Sequence, residues 1–178
     1  MALAVDPALA LAARLGLALL FATAAAHKLR DPSAFRAALA GYRLAPEWSH
    51  GPAVVALIVA ELGVAILVVA SERGAVPAAL LLALYSAAIA SGLARGLREI
   101  DCGCFGPAAR QPLSAGLLAR NLALVAIALA AALPAGARGL TWLDAVAICA
   151  AVAAGSLLYA STNTLLANAP RLRALRGA

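Results

Sequence analysis

The chain has 178 residues, 65% of them hydrophobic and 12% charged, with a mean hydropathy of +0.94. Soluble domains are nearer half apolar and about a quarter charged, and a fold this small has too much surface to hide the excess, so the composition excludes a soluble enzyme and makes lipid the solvent. The net charge of +6 does not point to nucleic acid, because the basic residues lie between apolar stretches and aromatics make up only 4%, which leaves no stacking platform for bases.

A run of about 20 apolar residues crosses the bilayer core. Five segments reach or approach that length: Ala8–Ala26, Ala53–Ala70, Val76–Ala94, Ala115–Leu133 and Trp142–Ala160. They predict an all-α integral membrane bundle of four to five transmembrane helices, in a single domain over residues 1–178. Segment one lacks a basic leader and is interrupted by Arg14, so it reads as a retained helix and not a secretory signal. Asp6-Pro7 supplies its N-cap and first helical residue. Asp31-Pro32 does the same for a short amphipathic helix with Phe35 and Leu39 on one face. Pro52 and Pro77 are expected to open segments two and three, and Ser114 to cap segment four. Thr141 and Asp144 have the spacing of a capping box for segment five. Pro134 and Pro170 are expected to mark stops. Helices in lipid associate by close backbone packing, which abundant alanine permits. Gly92 and Gly96 form a GxxxG that reads as a local packing spot.

Basic residues set orientation. With five spans, one face carries Lys28, Arg30, Arg36, Arg43, Arg95, Arg98, Arg110, Arg171, Arg173 and Arg176, and the other only Arg73 and Arg138. The count puts the N-terminus outside and the third connection in the cytoplasm of a cell with its multi-pass protein in the inner, or plasma, membrane.

That third connection reads Asp101-Cys102-Gly103-Cys104-Phe105-Gly106-Pro107. Two thiols one residue apart can reach disulfide distance, and the tight ring would be strained and therefore labile. Arg98 and Arg110 favour the thiolate, and Asp101 disfavours it. Four readings stay open: a redox dithiol, which is preferred; a metal site completed by His27 or His50; a static disulfide; and inert thiols. The third cysteine, Cys149, reads as a small buried hydrophobe inside segment five.

Glu61 lies near the middle of segment two, where an acidic group costs roughly 2.5–3.5 kcal/mol to insert. It needs a partner from Arg120, His27, Lys28 or Arg14. It reads either as a neutral acid bonded to a neighbouring helix or as a proton acceptor or gate near the thiols. Arg120 can snorkel to the surface, hold a thiolate, or pair with Glu61.

The chain resembles the methylamine utilisation MauE family, within the wider DoxX-like small membrane proteins. The resemblance rests on His27-Lys28-Leu29-Arg30-Asp31-Pro32, Phe35, Tyr42, Pro46, Glu61, Cys102-Gly103-Cys104-Phe105-Gly106, Ser114 and Arg120-Asn121, and covers about residues 11–133. The last helix and basic tail, 141–178, add little to it. The resemblance implies a part in maturation of methylamine dehydrogenase, whose small subunit carries several disulfides and a tryptophan-derived quinone. It implies two partners, a thioredoxin-like MauD protein and a disulfide-containing client. It also implies thiol chemistry outside the cytoplasm, where disulfides persist, against the charge count. No quinone motif is readable, so the sequence names no cofactor and leaves the electron acceptor, a quinone or another, open. Two rivals to the thiol relay remain: a small transporter or channel subunit using Glu61 as its intramembrane polar site, and a non-catalytic membrane scaffold.

Overall fold

The computed structural model describes residues 4–97, 100 and 111–176, with side chains up to residue 169. Its helices in chain order are α1 (Pro7–Arg30), α2 (Pro32–Gly41), α3 (Glu47–Ala70), α4 (Ala75–Ala94), α5 (Ala115–Ala131) and α6 (Trp142–Arg176), with a 3-10 turn at Glu72–Gly74 before α4. No strand occurs among the described residues. Helices α1, α3, α4 and α6 are long and apolar enough to cross a membrane. The 17 residues of α5 extend about 25 Å, slightly less than a bilayer core. The architecture is the expected all-α membrane bundle.

Side-chain caps start α1, α2, α5 and α6 where the sequence suggests, while α3 and α4 begin without one, at Glu47 and Ala75 and not at Pro52 and Pro77. The Asp6 carboxylate accepts from Ala8 N at 2.9 Å, Asp31 accepts from Ala34 N at 2.9 Å, and Ser114 Oγ accepts from Leu117 N at 3.2 Å. Asp31 lies between helices, and the Ala34 amide and the Ser33 hydroxyl hold its carboxyl below the usual range. The capping box is present: Thr141 N donates to Asp144 at 2.7 Å, and Asp144 N to Thr141 Oγ1 at 3.4 Å.

Several boundaries differ from expectation. Pro52 does not open its helix, because α3 begins at Glu47 and carries Pro52 inside it; neighbours in a membrane bundle can satisfy the one carbonyl a proline leaves behind. Pro170 does not stop α6, which runs on to Arg176. Its polar side chains bond back one turn, Ser156 to Val152 O, Thr162 to Leu158 O, Thr164 to Ala160 O and Asn168 to Thr164 O, so these groups do not face lipid unpaired. A fall in hydropathy is not a helix stop here. The GxxxG is also divided. Gly92 lies in α4, where an added Cβ would sit 2.6 Å from Leu113 Cδ1. Gly96 lies past the helix end at φ +73°, and with Leu97 N donating to Gly92 O at 2.9 Å it closes a Schellman cap.

The core is a seam of Leu17 and Phe21 from α1, Val64 and Val68 from α3, Ala75, Ala78, Ala79, Leu81 and Leu82 from α4, and Ala128 and Ala131 from α5. Alanines make up nearly half of it, as close packing in lipid requires. The outward faces carry Leu9, Val59, Ile66, Leu80, Leu157 and Leu158, all exposed, a continuous apolar belt that only lipid or a partner helix could cover. Cys149 corrects an expectation: it is exposed on α6, because α6 meets the bundle along one edge and turns its other faces outward.

Arg14, the charge interrupting segment one, reaches the end of α3, where its guanidinium donates to Val68 O at 2.7 Å and Val69 O at 2.8 Å. These are carbonyls that a helix end leaves unpaired. At the same end of the bundle Val5 pairs with the α5–α6 loop, and Arg138 bridges Asp6 at 2.7 Å and Asp144 at 2.7 Å. Hydrogen bonding to Arg138 holds the Asp6 carboxyl below its ordinary value of 3.8, while Asp144 first and Asp6 second raise Arg138.

Candidate functional site

The polar site is built on the stripes that build the core. On α1 the buried positions Leu17, Phe21, Ala25 and Lys28 follow one another by four, four and three residues, so Lys28 continues the inward face. On α3 the buried stripe is Val54, Ile58, Glu61, Val64 and Val68. Both charges are therefore directed inward by helical periodicity, and they meet. Lys28 Nζ lies 2.6 Å from Glu61 Oε1, with the two side chains 2% and 0% exposed. Tyr85 of α4 donates its hydroxyl to the same oxygen at 2.7 Å. The ammonium also lies 4.8 Å from the Phe35 ring centroid and 5.7 Å from that of Tyr85, within cation–π range. Of the four partners the sequence offered Glu61, the structure selects Lys28. An acidic and a basic side chain thus face each other inside the bundle. This also takes Lys28 out of the set of exposed charges that orient a membrane protein.

A second polar group lies beside the first. Asn121 Nδ2 donates to Leu82 O and Ser86 Oγ, both at 3.1 Å, tying α5 to α4. Arg120 donates through Nη1 to Asn163 Oδ1 of α6, and its guanidinium lies 5.1 Å from the Tyr159 ring centroid. Gln111 Nε2 donates to Asn163 O at 3.1 Å. A cavity of about 30 Å³ separates the two groups, lined by His27, Glu61, Tyr85, Arg120, Asn121 and Tyr159 among others. That is room for a water-sized group. Glu61 Oε2 is buried, with no hydrogen bond among the described residues. The arrangement can hold a charge, and it can pass a proton among carboxylate, phenol and imidazole.

Cys102 and Cys104 lie outside the described residues, as do Arg98, Asp101, Gly106-Pro107 and Arg110. The residues flanking their segment are described. Ile100 packs with Tyr42, Ile89, Leu113 and Leu117, and its Cγ2 would lie 3.2 Å from a Cβ on Gly41. Gln111 is held to Asn163 as above. Arg95, at the end of α4, donates to Tyr42 O at 2.7 Å. Both flanks thus anchor at the same end of the bundle as the Lys28–Glu61 pair and Arg120. His27 lines the small cavity. His50 is buried, with Nε2 3.1 Å from Ala45 O, a structural contact in the α2–α3 connection. Among the described residues no group of three His, Cys, Asp or Glu could hold one metal ion.

Tyr85, Tyr159 and Asn163 belong to the site and were not singled out in the sequence. Two of them come from α6. Their signal was available: polar side chains inside apolar helices usually face the bundle interior.

Similarity to known proteins runs along most of the chain. The family model for methylamine utilisation protein MauE matches residues 6–134. Methylamine utilization protein MauE of Paracoccus denitrificans is 40% identical over 131 residues, spanning 72% of this chain and 70% of the relative. Its counterpart in Methylorubrum extorquens is 40% identical over 139 residues, 75% of each chain. That of Methylophilus methylotrophus is 36% identical over 170 residues, 90% of this chain and 87% of the relative. No solved structure matches the chain.

Proposed function

The chain belongs to the MauE family, and from that premise we propose that it is a thiol–disulfide exchange component of methylamine utilisation, held in the inner or plasma membrane. Cys102 and Cys104 form the exchanging pair. A thiolate of a thioredoxin-like, MauD-type partner attacks one sulfur of the Cys102–Cys104 disulfide. The bond between the two chain cysteines breaks and a mixed disulfide forms. The partner's second thiol resolves the mixed disulfide, leaving the partner oxidised and both chain cysteines reduced. The oxidised partner then passes its disulfide to the client, for which the small subunit of methylamine dehydrogenase is the candidate.

One observation supports this reading: Gln111, on one flank of the cysteine segment, is held to Asn163, which also accepts from Arg120, and Ile100, on the other flank, packs on Tyr42, Ile89 and Leu117 at the same end of the bundle. Glu61 serves as the proton acceptor when a thiol is deprotonated, through Oε2, which has no hydrogen bond among the described residues, while Lys28 and Tyr85 hold Oε1 in place. Arg120 favours the thiolate over the thiol.

The test uses a methylamine-grown host lacking its own family member. Wild type should restore active methylamine dehydrogenase with a fully disulfide-bonded small subunit. Cys102→Ser and Cys104→Ser should each abolish it at unchanged membrane protein level. Full restoration by the double serine variant would end the proposal. Loss of the protein itself, with activity per molecule retained, would favour a scaffold.

A further inference from the structure

A groove of about 550 Å³ lies between α1, α5 and α6, against the site. It follows α1 from Leu9 to His27, nineteen residues, which is about 27 Å of helix. Leu9, Ala13, Gly16, Leu20, Ile127 and Gly155 are among its walls. Two hydroxyls along it are already committed: Thr23 donates to Leu19 O or Leu20 O, and Ser156 to Val152 O. Polarity is concentrated at one end, where His27, Tyr159 and Asn163 line the groove.

Asn163 gives that end a chemical preference. Its side chain is 7% exposed. Its Oδ1 accepts from the Arg120 guanidinium, which has no acceptor of its own, so the amide's orientation is determined. Nδ2 is then left as a buried donor with no hydrogen bond among the described residues. Buried donors are nearly always paired in native proteins. A ligand that satisfies this one offers a neutral acceptor oxygen on a long apolar body. Arg120, the cation at this end, is engaged by Asn163 and the Tyr159 ring, so a carbonyl fits better than a phosphate.

We propose that the α1–α5–α6 groove binds an isoprenoid quinone, with a ring carbonyl accepting from Asn163 Nδ2 and the chain lying along Leu20, Gly16 and Leu9. The proposal builds on the thiol-exchange reading, for which it names the electron acceptor. Oxidation of two thiols to a disulfide releases two electrons and two protons. A quinone takes up both and leaves as the hydroquinone, so the step balances without a further reactant. The polar end of the groove shares His27, Thr23 and Tyr159 with the small cavity that reaches Glu61, which provides titratable groups between the two sites.

The test is photolabelling of the full chain in lipid nanodiscs with an azido-ubiquinone, peptides being mapped by mass spectrometry. Label should fall on α1 and α6 and be displaced by decylubiquinone but not by decanol. Gly16 and Gly155 have nothing within 4 Å of a built Cβ, so Gly16→Leu and Gly155→Leu extend into the groove without a backbone clash. Each should cut labelling at least roughly tenfold, about the effect of one lost well-made contact, with monodispersity and helicity unchanged. Asn163→Leu should weaken decylubiquinone competition by roughly tenfold as well. Label that survives both filled-groove variants, or that decanol displaces equally, would overturn the quinone site; the second result would identify the groove as an acyl-chain seat. The Cys102→Ser/Cys104→Ser variant should label like wild type. Essential cysteines without quinone labelling would remove the groove proposal and leave thiol exchange standing. Labelling with dispensable cysteines would do the reverse.

Discussion

Replacing Lys28 by Met removes one half of an ion pair whose members are 2% and 0% exposed. Breaking a buried pair from one side costs about 3–5 kcal/mol, because the other charge is left uncompensated. Glu61 Oε1 keeps the Tyr85 hydroxyl at 2.7 Å, and a hydrogen bond to a charged group contributes about 1.5–3 kcal/mol, so the lower half of that range applies. Glu61→Gln leaves the ammonium instead, but over the Phe35 and Tyr85 rings at 4.8 and 5.7 Å. Cation–π contacts of about 0.5–2 kcal/mol make this the milder change. The double variant Lys28→Met/Glu61→Gln removes both charges and should unfold within about 1–2 kcal/mol of wild type, since uncharged replacements of a buried pair are often nearly neutral. The assay is reversible unfolding in mixed micelles with increasing dodecyl sulfate, followed by helical circular dichroism, for all four proteins. The expected result is a strongly non-additive cycle, with the double variant more stable than Lys28→Met. Additive losses, or single losses below about 1 kcal/mol, would refute the claim that the pair is buried and directly coupled.

Three further outcomes follow from the same geometry. Arg14→Leu should cost about 1.5–3 kcal/mol in the same unfolding assay, because Val68 O and Val69 O lose their donor. Gly74→Ala should destabilise by about 3 kcal/mol, since its Cβ would fall 1.9 Å from the backbone oxygen of Leu67; tolerance of alanine there would contradict the tight α3–α4 turn. The Asp6 carboxyl is depressed below 3.8, so its contribution to stability is present above that value and lost as pH falls through the folded-state value. On an Asp144→Asn background, which leaves Asp6 as the carboxylate facing Arg138, the difference in melting temperature between the proteins with and without Arg138→Ala should therefore hold constant above about pH 5 and narrow below about pH 4. A gap that stays open in acid would show that Asp6 and Arg138 are not coupled.

The membrane class, the helix order and most caps were legible because each depends on local signals. Asp6, Asp31, Ser114 and the Thr141–Asp144 pair act within one turn of their own position. The choice of Lys28 for Glu61 was not legible. It depends on how α1 and α3 are rotated against each other, and helices that are apolar all round, as these nearly are, carry little information about rotation. Asn163 and Tyr159 carry only the general signal that polar residues inside an apolar helix usually face the bundle interior. The apolar residues of α6 lie on every side, so they mark no edge of their own. The reading of Cys149 as buried failed for that reason. The end of α6 differs from expectation because Pro170 reads as a stop in sequence, whereas the helix carries it inside and runs to Arg176.

The exchange reading stands or falls on the state of two sulfurs. On a Cys149→Ala background, intact cells would be treated with a maleimide that adds mass, with and without prior reduction, and the products separated by gel. The account predicts that Cys102 and Cys104 label only after reduction, and that Cys104→Ser or Cys102→Ser accumulates a reducible adduct with a partner protein. Two thiols that label fully without reduction, with no adduct in either serine variant, would contradict it.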